Sequence, residues 1–141
     1  MDIKRLEHAT ERHKTSYLSC GSVDAQPIIM LHGWPDLSIG WEEQLKFFGA
    51  QGYYAIAPDM RGYGSSSIPV NHSDYCMKEI VEDMIELLSS LGHKEAIWVG
   101  HDWGSPVVWN IALHHPEAVK GLVSLCVSFG WEVTQTVIYL Q

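Results

Sequence analysis

The sequence is short of basic residues, poor in cysteine and free of any long apolar run. Nine Lys and Arg stand against 17 Asp and Glu, a formal net charge of −8, and the acidic residues are spread along all 141 positions. No basic stripe exists that could neutralise a phosphate backbone or an anionic lipid surface, so nucleic-acid and membrane-surface partners are not expected. The longest apolar stretches, such as Ile28 to Leu31 and Gly121 to Phe129, are far too short to cross a bilayer. Residues 1–15 are too polar for the core of a secretory signal. The three cysteines, Cys20, Cys76 and Cys126, are odd in number, widely spaced and flanked by apolar residues. They read as small buried thiols of a reducing compartment rather than a disulfide frame, which makes the cytoplasm the expected location. Eight histidines are present, but without an H-E-x-x-H or comparable spacing, so no metal is implied. The glycines of 61–67 come without a P-loop lysine, and no cofactor is expected.

What remains is 46% hydrophobic residues, enough for the core of one ordinary domain. Short apolar runs alternate with helical patterns, the mark of a mostly parallel sheet with helices on both faces, an α/β fold. Residues 13–18 read as an edge strand, Pro27 to Leu31 as a compact strand, and 53–57, 95–99 and 119–127 as three more. From Ser38, read as an N-cap, Trp41, Leu45 and Phe48 recur at helical spacing up to Gly52. The clearest helix carries Met77, Ile80, Val81, Met84, Ile85, Leu88 and Leu91 on one face, with Gly92 just past its end. A further helix is expected over 103–115, stopped by Pro116. The order is β-β-α-β-α-β-α-β, and right-handed crossovers bring loops 32–37, 58–67 and 100–104 to one rim, where open α/β sheets bind ligands. Residues 1–128 form the expected partial core domain and 129–141 a divergent tail. The tail from Trp131 to Gln141 is compatible with a strand but is given no place in the sheet, so the last strand is left as an apolar edge, from which self-association is expected.

Gly100-His101-Asp102-Trp103-Gly104 has the form G-x-nucleophile-x-G between a strand and a helix. The glycines allow strand and helix to approach closely around a strained turn that aims Asp102 outward. An aspartate serving only as the helix N-cap would need neither the flanking glycines nor a partner loop. The partner loop here is His32-Gly33-Trp34-Pro35. Oxyanion donors in such an arrangement are the amide after the nucleophile and one from the loop after an earlier strand, so the amides of Trp103 and Trp34 are assigned to that task. His32 precedes a tight turn and is expected to brace neighbouring loops rather than to act on substrate.

A carboxylate at this position narrows the chemistry. It is already ionised near neutral pH, from a reference pKa of about 3.9, and needs no base to attack. On an acyl carbon it would form an anhydride that reverts; on a saturated carbon with a leaving group it forms a stable ester. The suitable substrates are small alkyl electrophiles, chiefly epoxides and haloalkanes, through a covalent intermediate.

Leu31-His32-Gly33-Trp34-Pro35, Pro58-Asp59-Met60-Arg61-Gly62-Tyr63-Gly64-Ser65-Ser66 and Val99-Gly100-His101-Asp102-Trp103-Gly104, in this order, strongly resemble the soluble epoxide hydrolases of the α/β-hydrolase superfamily. The resemblance covers residues of about 13 to 127 and implies the N-terminal portion of the α/β-hydrolase fold. It implies Asp102 as nucleophile, Trp34, Pro35 and Trp103 as pocket wall, and His32, Gly33, Asp59, Arg61, Gly100, His101 and Gly104 as structural support. Haloalkane dehalogenases are near relatives, but they usually carry Asn where this chain has Trp34. Halide displacement is the alternative reading, and a non-catalytic fragment is another.

Relatives of this kind continue with a helical cap bearing two tyrosines, then supply an acid and a water-activating histidine. No counterpart of these is found here. His114 and His115 are expected at the far end of the helix after Asp102, and Glu132 has no histidine to orient. Tyr17, Tyr53, Tyr54 and Tyr63 fall in core segments, and Trp41, Trp98 and Trp109 are expected in the core. The expectation is an N-terminal half, a truncated product or mispredicted reading frame, that opens an epoxide once and cannot turn over alone.

Overall fold

A computed structural model describes residues 2–127 and, for backbone only, 138–140. Its strands are β1 (Lys4–Ala9), β2 (Lys14–Cys20), β3 (Pro27–Leu31), β4 (Tyr54–Pro58), β5 (Ala96–His101), β6 (Val119–Leu125) and β7 (Ile138–Leu140). Its helices are α1 (Glu42–Ala50), α2 (Met77–Ser90) and α3 (Gly104–His114). The strands form one sheet in the order β1-β2-β4-β3-β5-β6-β7. The centre, β4-β3-β5-β6, is parallel, and both ends are antiparallel.

The parallel centre is buried from both sides, and β3 shows how. Ile29 and Leu31 join Val81, Met84, Leu87, Val108 and Ile111 beneath α2 and α3, while Ile28 and Met30 join Leu45 and Val99 beneath α1. Alternate residues of a strand point to opposite faces, so a strand covered twice must be apolar throughout. That is why Pro27–Leu31 carries no polar side chain and is buried at every position. Trp98 anchors the α2/α3 layer, fully buried, its indole N–H donating to the Ala118 carbonyl at 2.9 Å. Trp109 donates to Ser124 at 3.1 Å from a partly buried position, and Trp41 is likewise only partly buried.

Several expectations are corrected. The strand expected at the sheet edge, β2, lies between β1 and β4; the edge is β1, exposed at nearly every position. The edge expected to be open at β6 is paired: Gly121, Leu122 and Val123 face Leu140, Tyr139 and Ile138 of β7. Self-association through that edge therefore loses its basis along these residues. Ser38 does not cap α1. It opens a 3₁₀ turn, Ser38–Trp41, and its N–H is committed to Asp59, leaving Trp41 at the cap position without a side-chain bond. Of the three cysteines only Cys20 is buried; Cys76 sits just before α2 and Cys126 just after β6, and both are exposed. Cys76 and Cys126 lie in connecting segments, which run over the surface, and apolar sequence neighbours do not change that, whereas Cys20 belongs to β2 inside the sheet. Phe129 to Gln141, including Glu132, falls outside the described residues apart from the backbone of β7. No helix among the described residues is long and apolar enough to cross a membrane.

Candidate active site

β5 ends and α3 begins within three residues, and Asp102 sits between them with φ of 50°. This left-handed conformation costs an L-residue roughly 1–2 kcal/mol, although Asp tolerates it better than most. The surroundings hold it there. The Asp102 N–H donates to the Leu125 carbonyl at 3.2 Å, the Ser105 N–H donates back to the Asp102 carbonyl at 3.0 Å, and the Ser105 hydroxyl lies 2.9 Å from the carbonyls of Gly100 and Leu125. His101 closes β5 opposite Leu125. A methyl group on Gly100 would overlap the Gly104 carbonyl, and one on Gly104 would overlap the Leu31 carbonyl of β3. Both glycines are thus required by close backbone approach, and the turn cannot be built with side chains there.

The segment after β3 meets this turn. A methyl on Gly33 would run into the Asp102 side chain, so only glycine lets the two loops touch. The next N–H, that of Trp34, donates to Asp102 Oδ1 at 2.9 Å. Hydrogen bonding from the Trp34 amide, and next from that of Trp103, holds the Asp102 carboxyl below the ordinary aspartate value. The carboxylate is ionised, aimed out of the sheet and in reach of solvent. The Trp34–Pro35 peptide is cis. The indoles of Trp34 and Trp103 flank the carboxylate in sequence from both loops and are 66% and 60% exposed, a wide apolar rim around one charge.

Beneath the rim lie the residues expected to brace it. His32 is fully buried. Its Nε2 accepts the Met60 N–H at 3.0 Å, which leaves the proton on Nδ1, 2.9 Å from the Gly33 carbonyl that it donates to. Burial lowers its pKa, so the ring is neutral and serves as a link between the two loops. Asp59, also buried, accepts from the Ser38 N–H at 2.9 Å, the Ser65 N–H at 3.3 Å and Arg5 at 3.0 Å. Arg61 forms a two-pronged pair with Asp83 of α2, both contacts at 2.8 Å.

Arg5, Arg12, His13 and Asp83 escaped the sequence reading. Arg12 reaches Asp83 at 2.7 Å and also Glu79 and Glu86, tying the β1–β2 turn to α2. Asp83 had a visible signal: it falls on the helix face of Ile80, Met84 and Leu87, where a carboxylate is out of place unless paired. Arg5 had none, since its partners are distant in sequence.

The candidates set aside remain apart from Asp102. His115 pairs with Glu82 and Glu117 beyond the end of α3. Tyr17 and Tyr54 are buried in the α2/α3 layer, with Tyr63 packed partly buried against it, and Tyr53 packs against the α1 layer. Among the described residues no cluster of His, Cys, Asp or Glu is arranged to hold a metal ion. A cleft between α2 and α3, lined by Met77, Val81, Asn110 and His114, shares no residue with the Asp102 site.

The alpha/beta hydrolase fold family matches residues 26–138. An epoxide hydrolase (epoxide hydrolase 2) of Siraitia grosvenorii is 39% identical over 128 residues, 90% of this chain and 40% of that protein. Epoxide hydrolase A of Mycobacterium tuberculosis is 39% identical over 110 residues, 78% of this chain and 34% of its own length. Among solved structures, an epoxide hydrolase from Vigna radiata superposes with a TM-score of 0.87 at 34% identity, over 91% of this chain and 41% of the other. The chain spans about 40% of the length of such relatives.

Proposed function

Because the chain belongs to the α/β-hydrolase fold family, we propose that Gly100 to Gly104 is its nucleophile elbow and that Asp102 opens epoxides by forming a covalent ester. One observation carries this reading: the Trp34 N–H on Asp102 Oδ1. With Oδ1 held by an amide, Oδ2 is the oxygen free to attack. It bonds to a ring carbon while the strained bond from that carbon to the ring oxygen breaks; the oxygen keeps the electron pair, stays on the neighbouring carbon and takes up a proton from water. The energy of ring strain makes this step irreversible in practice.

The ester keeps Oδ1 as its carbonyl oxygen. When water adds to the Asp102 carboxyl carbon, negative charge develops on Oδ1, and the amides of Trp34 and Trp103 form the oxyanion hole. Collapse breaks the bond between the carboxyl carbon and Oδ2, so the diol leaves carrying Oδ2 and the water oxygen stays in the Asp102 carboxylate. That second step needs a base for water. Among the described residues no imidazole hydrogen-bonds to Asp102; His32, His93 and His115 are engaged elsewhere. In this chain the reaction is therefore expected to stop at the ester. The similarity to epoxide hydrolases supports a small hydrophobic epoxide as substrate, received between Trp34, Pro35 and Trp103. Halide displacement gains no comparable support, since no side-chain amide stands at position 34.

Incubation with styrene oxide and intact-mass measurement tests the proposal. One adduct, mapped to Asp102 and absent from Asp102→Asn, is expected; Asn tolerates the left-handed backbone, so the variant keeps the turn. Sustained diol release would overturn the arrest at the ester. A chain that stays unmodified, with its fold intact, would overturn the nucleophile and leave a non-catalytic fragment.

A further inference from the structure

Asp59 is 1% exposed and carries a charge, and the cation that meets it comes from Arg5 on β1, outside the residues 26–138 matched by the family. Arg5 Nη1 donates to Asp59 Oδ2 at 3.0 Å and to the Ser16 hydroxyl at 3.1 Å, and Nη2 lies 3.5 Å from the Ser38 hydroxyl. The guanidinium thus spans β2, the segment after β4 and the start of the 3₁₀ turn. We propose that Arg5 is a positioning residue of the Asp102 site, holding through Asp59 and Ser38 the segment 33–38 whose Trp34 N–H binds the Asp102 carboxylate.

The connection is continuous and short. Asp59 Oδ1 accepts the Ser38 N–H at 2.9 Å. From Ser38 back to Trp34 the chain is folded into consecutive turns: Gly40 N–H to Leu37 carbonyl at 3.0 Å, Leu37 N–H to Asp36 Oδ1 at 2.8 Å, and Asp36 N–H to Gly33 carbonyl at 3.1 Å. A segment built this way transmits a shift at Ser38 rather than absorbing it. Asp59 also receives the Ser65 N–H at 3.3 Å, and a methyl on Gly64 would overlap its carboxylate. Ser65 and Gly64 thus close on Oδ2, the oxygen that also takes Arg5, and Oδ1 is left to the Ser38 N–H.

The role requires a charge and not merely bulk. A buried carboxylate deprived of its counter-ion takes up a proton or draws in water, and either change loosens its hold on the amides it accepts from. Asp59 carries the opposing tendencies already: burial pushes its pKa up, and the hydrogen bonds from Ser38, Ser65 and Arg5 outweigh it and bring it below the ordinary value. Losing Arg5 shifts that balance toward the protonated form. The effect on chemistry rests on the reading of Asp102 as nucleophile; the effect on Trp34 does not.

The test compares wild type with Arg5→Met, Arg5→Lys and Glu7→Gln. Glu7 lies on the same edge strand as Arg5 and pairs with Lys14 of β2 rather than with Asp59, so its variant reports general loosening of β1. In ¹⁵N-labelled protein the Trp34 amide proton, deshielded by the carboxylate, is expected to move upfield in Arg5→Met, to recover in part in Arg5→Lys and to stay in place in Glu7→Gln. The rate of ester formation with styrene oxide is expected to fall about tenfold in Arg5→Met, the scale of a modestly misplaced donor, and to recover in Arg5→Lys. An unshifted Trp34 amide in a folded Arg5→Met, an equal shift in Glu7→Gln, or no recovery with lysine would each overturn the proposal. Should Arg5→Met fail to fold, the isosteric Asp59→Asn replaces it with the same expectations. A wild type that forms no adduct overturns the nucleophile reading alone, and the amide signal still decides the role of Arg5.

Discussion

The Trp34 N–H lies 2.9 Å from Asp102 Oδ1, although 68 residues separate them in the chain. Two loops that end different strands meet at this bond, and the bond sets the charge state of the carboxylate. Backbone donors from Trp34 and then Trp103 favour the ionised form, so the pKa is lowered from the model-compound value of 3.8. The ionised carboxylate, the attacking species of the proposed reaction, is then present throughout the neutral range. Ester formation, measured in short pulses, is expected to hold its rate as pH falls from about 8 and to reach half of it only below the ordinary aspartate value of 3.8. A rate that halves at any pH at or above 3.8 would show that the amides do not hold the carboxylate.

Gly33→Ala tests the same contact from the other side. Its new methyl would overlap the Asp102 side chain, and the loops must part to admit it. Ester formation is expected to fall about 100-fold, as for a reactive group displaced by an ångström, with a stability loss of about 1–3 kcal/mol from overpacking. Gly121→Ala is the control, since a methyl there would meet Ile97 at an ordinary 3.8 Å. Equal reactivity in the two variants would show that Gly33 is not in contact with the site.

Much of this arrangement was legible in the sequence, for identifiable reasons. Pro27–Leu31 was readable to the residue because burial on both faces forces an unbroken apolar run, and α2 because one face alone is buried. The tight turn between β5 and α3 was readable because close backbone approach admits only glycine at 100 and 104. β1 was not, since Lys4–Ala9 is exposed on both faces and has no alternation to detect. Ser38 misled because serine before a helical pattern is a common cap, and nothing local shows that its N–H is taken by Asp59. The ion pairs of Arg5 and Arg12 join residues 54 to 74 positions apart, and long-range pairing leaves no periodic trace.

Asp83 provides the largest expected loss of stability. Its carboxylate is wholly buried and receives Arg61 twice and Arg12 once. Asp83→Asn keeps the shape but leaves the buried Arg61 guanidinium with only Glu79, at 3.7 Å, while Arg12 keeps Glu79 and Glu86; losing the buried partner of Arg61 is expected to cost about 3–5 kcal/mol. Arg12→Met should cost distinctly less, because Arg12 is partly exposed and its loss leaves Asp83 with Arg61. Urea midpoints with an unchanged slope give both values. The reverse order would mean that the Arg61 pair is not the dominant contact.

His13 and His32 govern stability toward acid, by the same linkage but with different structural consequences. Burial lowers the pKa of both from 6.5; at His13, Asp83 and Glu86 oppose the shift while Arg61 and Arg12 add to it. The unfolded chain takes up protons at its ordinary value and the folded chain does not, so stability is complete above about pH 6.5 and declines as pH falls through it toward the lowered folded values. The two histidines differ in their bonds. Neither ring nitrogen of His13 has a hydrogen-bond partner, whereas His32 joins Met60 to Gly33. His13→Leu is therefore expected to match wild type at about pH 8 and to exceed its stability at about pH 5, because it deletes the unfavourable protonation, and Asp83, 3.5 Å from Nε2, keeps Arg61 and Arg12 in the variant. His32→Leu deletes the same linkage but strands the buried Met60 N–H and takes one of two donors from the Gly33 carbonyl, which keeps the Asp36 N–H; it is expected to be weaker by about 1–3 kcal/mol at every pH, with a shallower decline toward acid. Denaturant midpoints at the two pH values separate these outcomes. A His13→Leu chain that loses stability at both would mean that the ring makes a favourable contact in the folded state, and acid sensitivity would then rest on His32 alone.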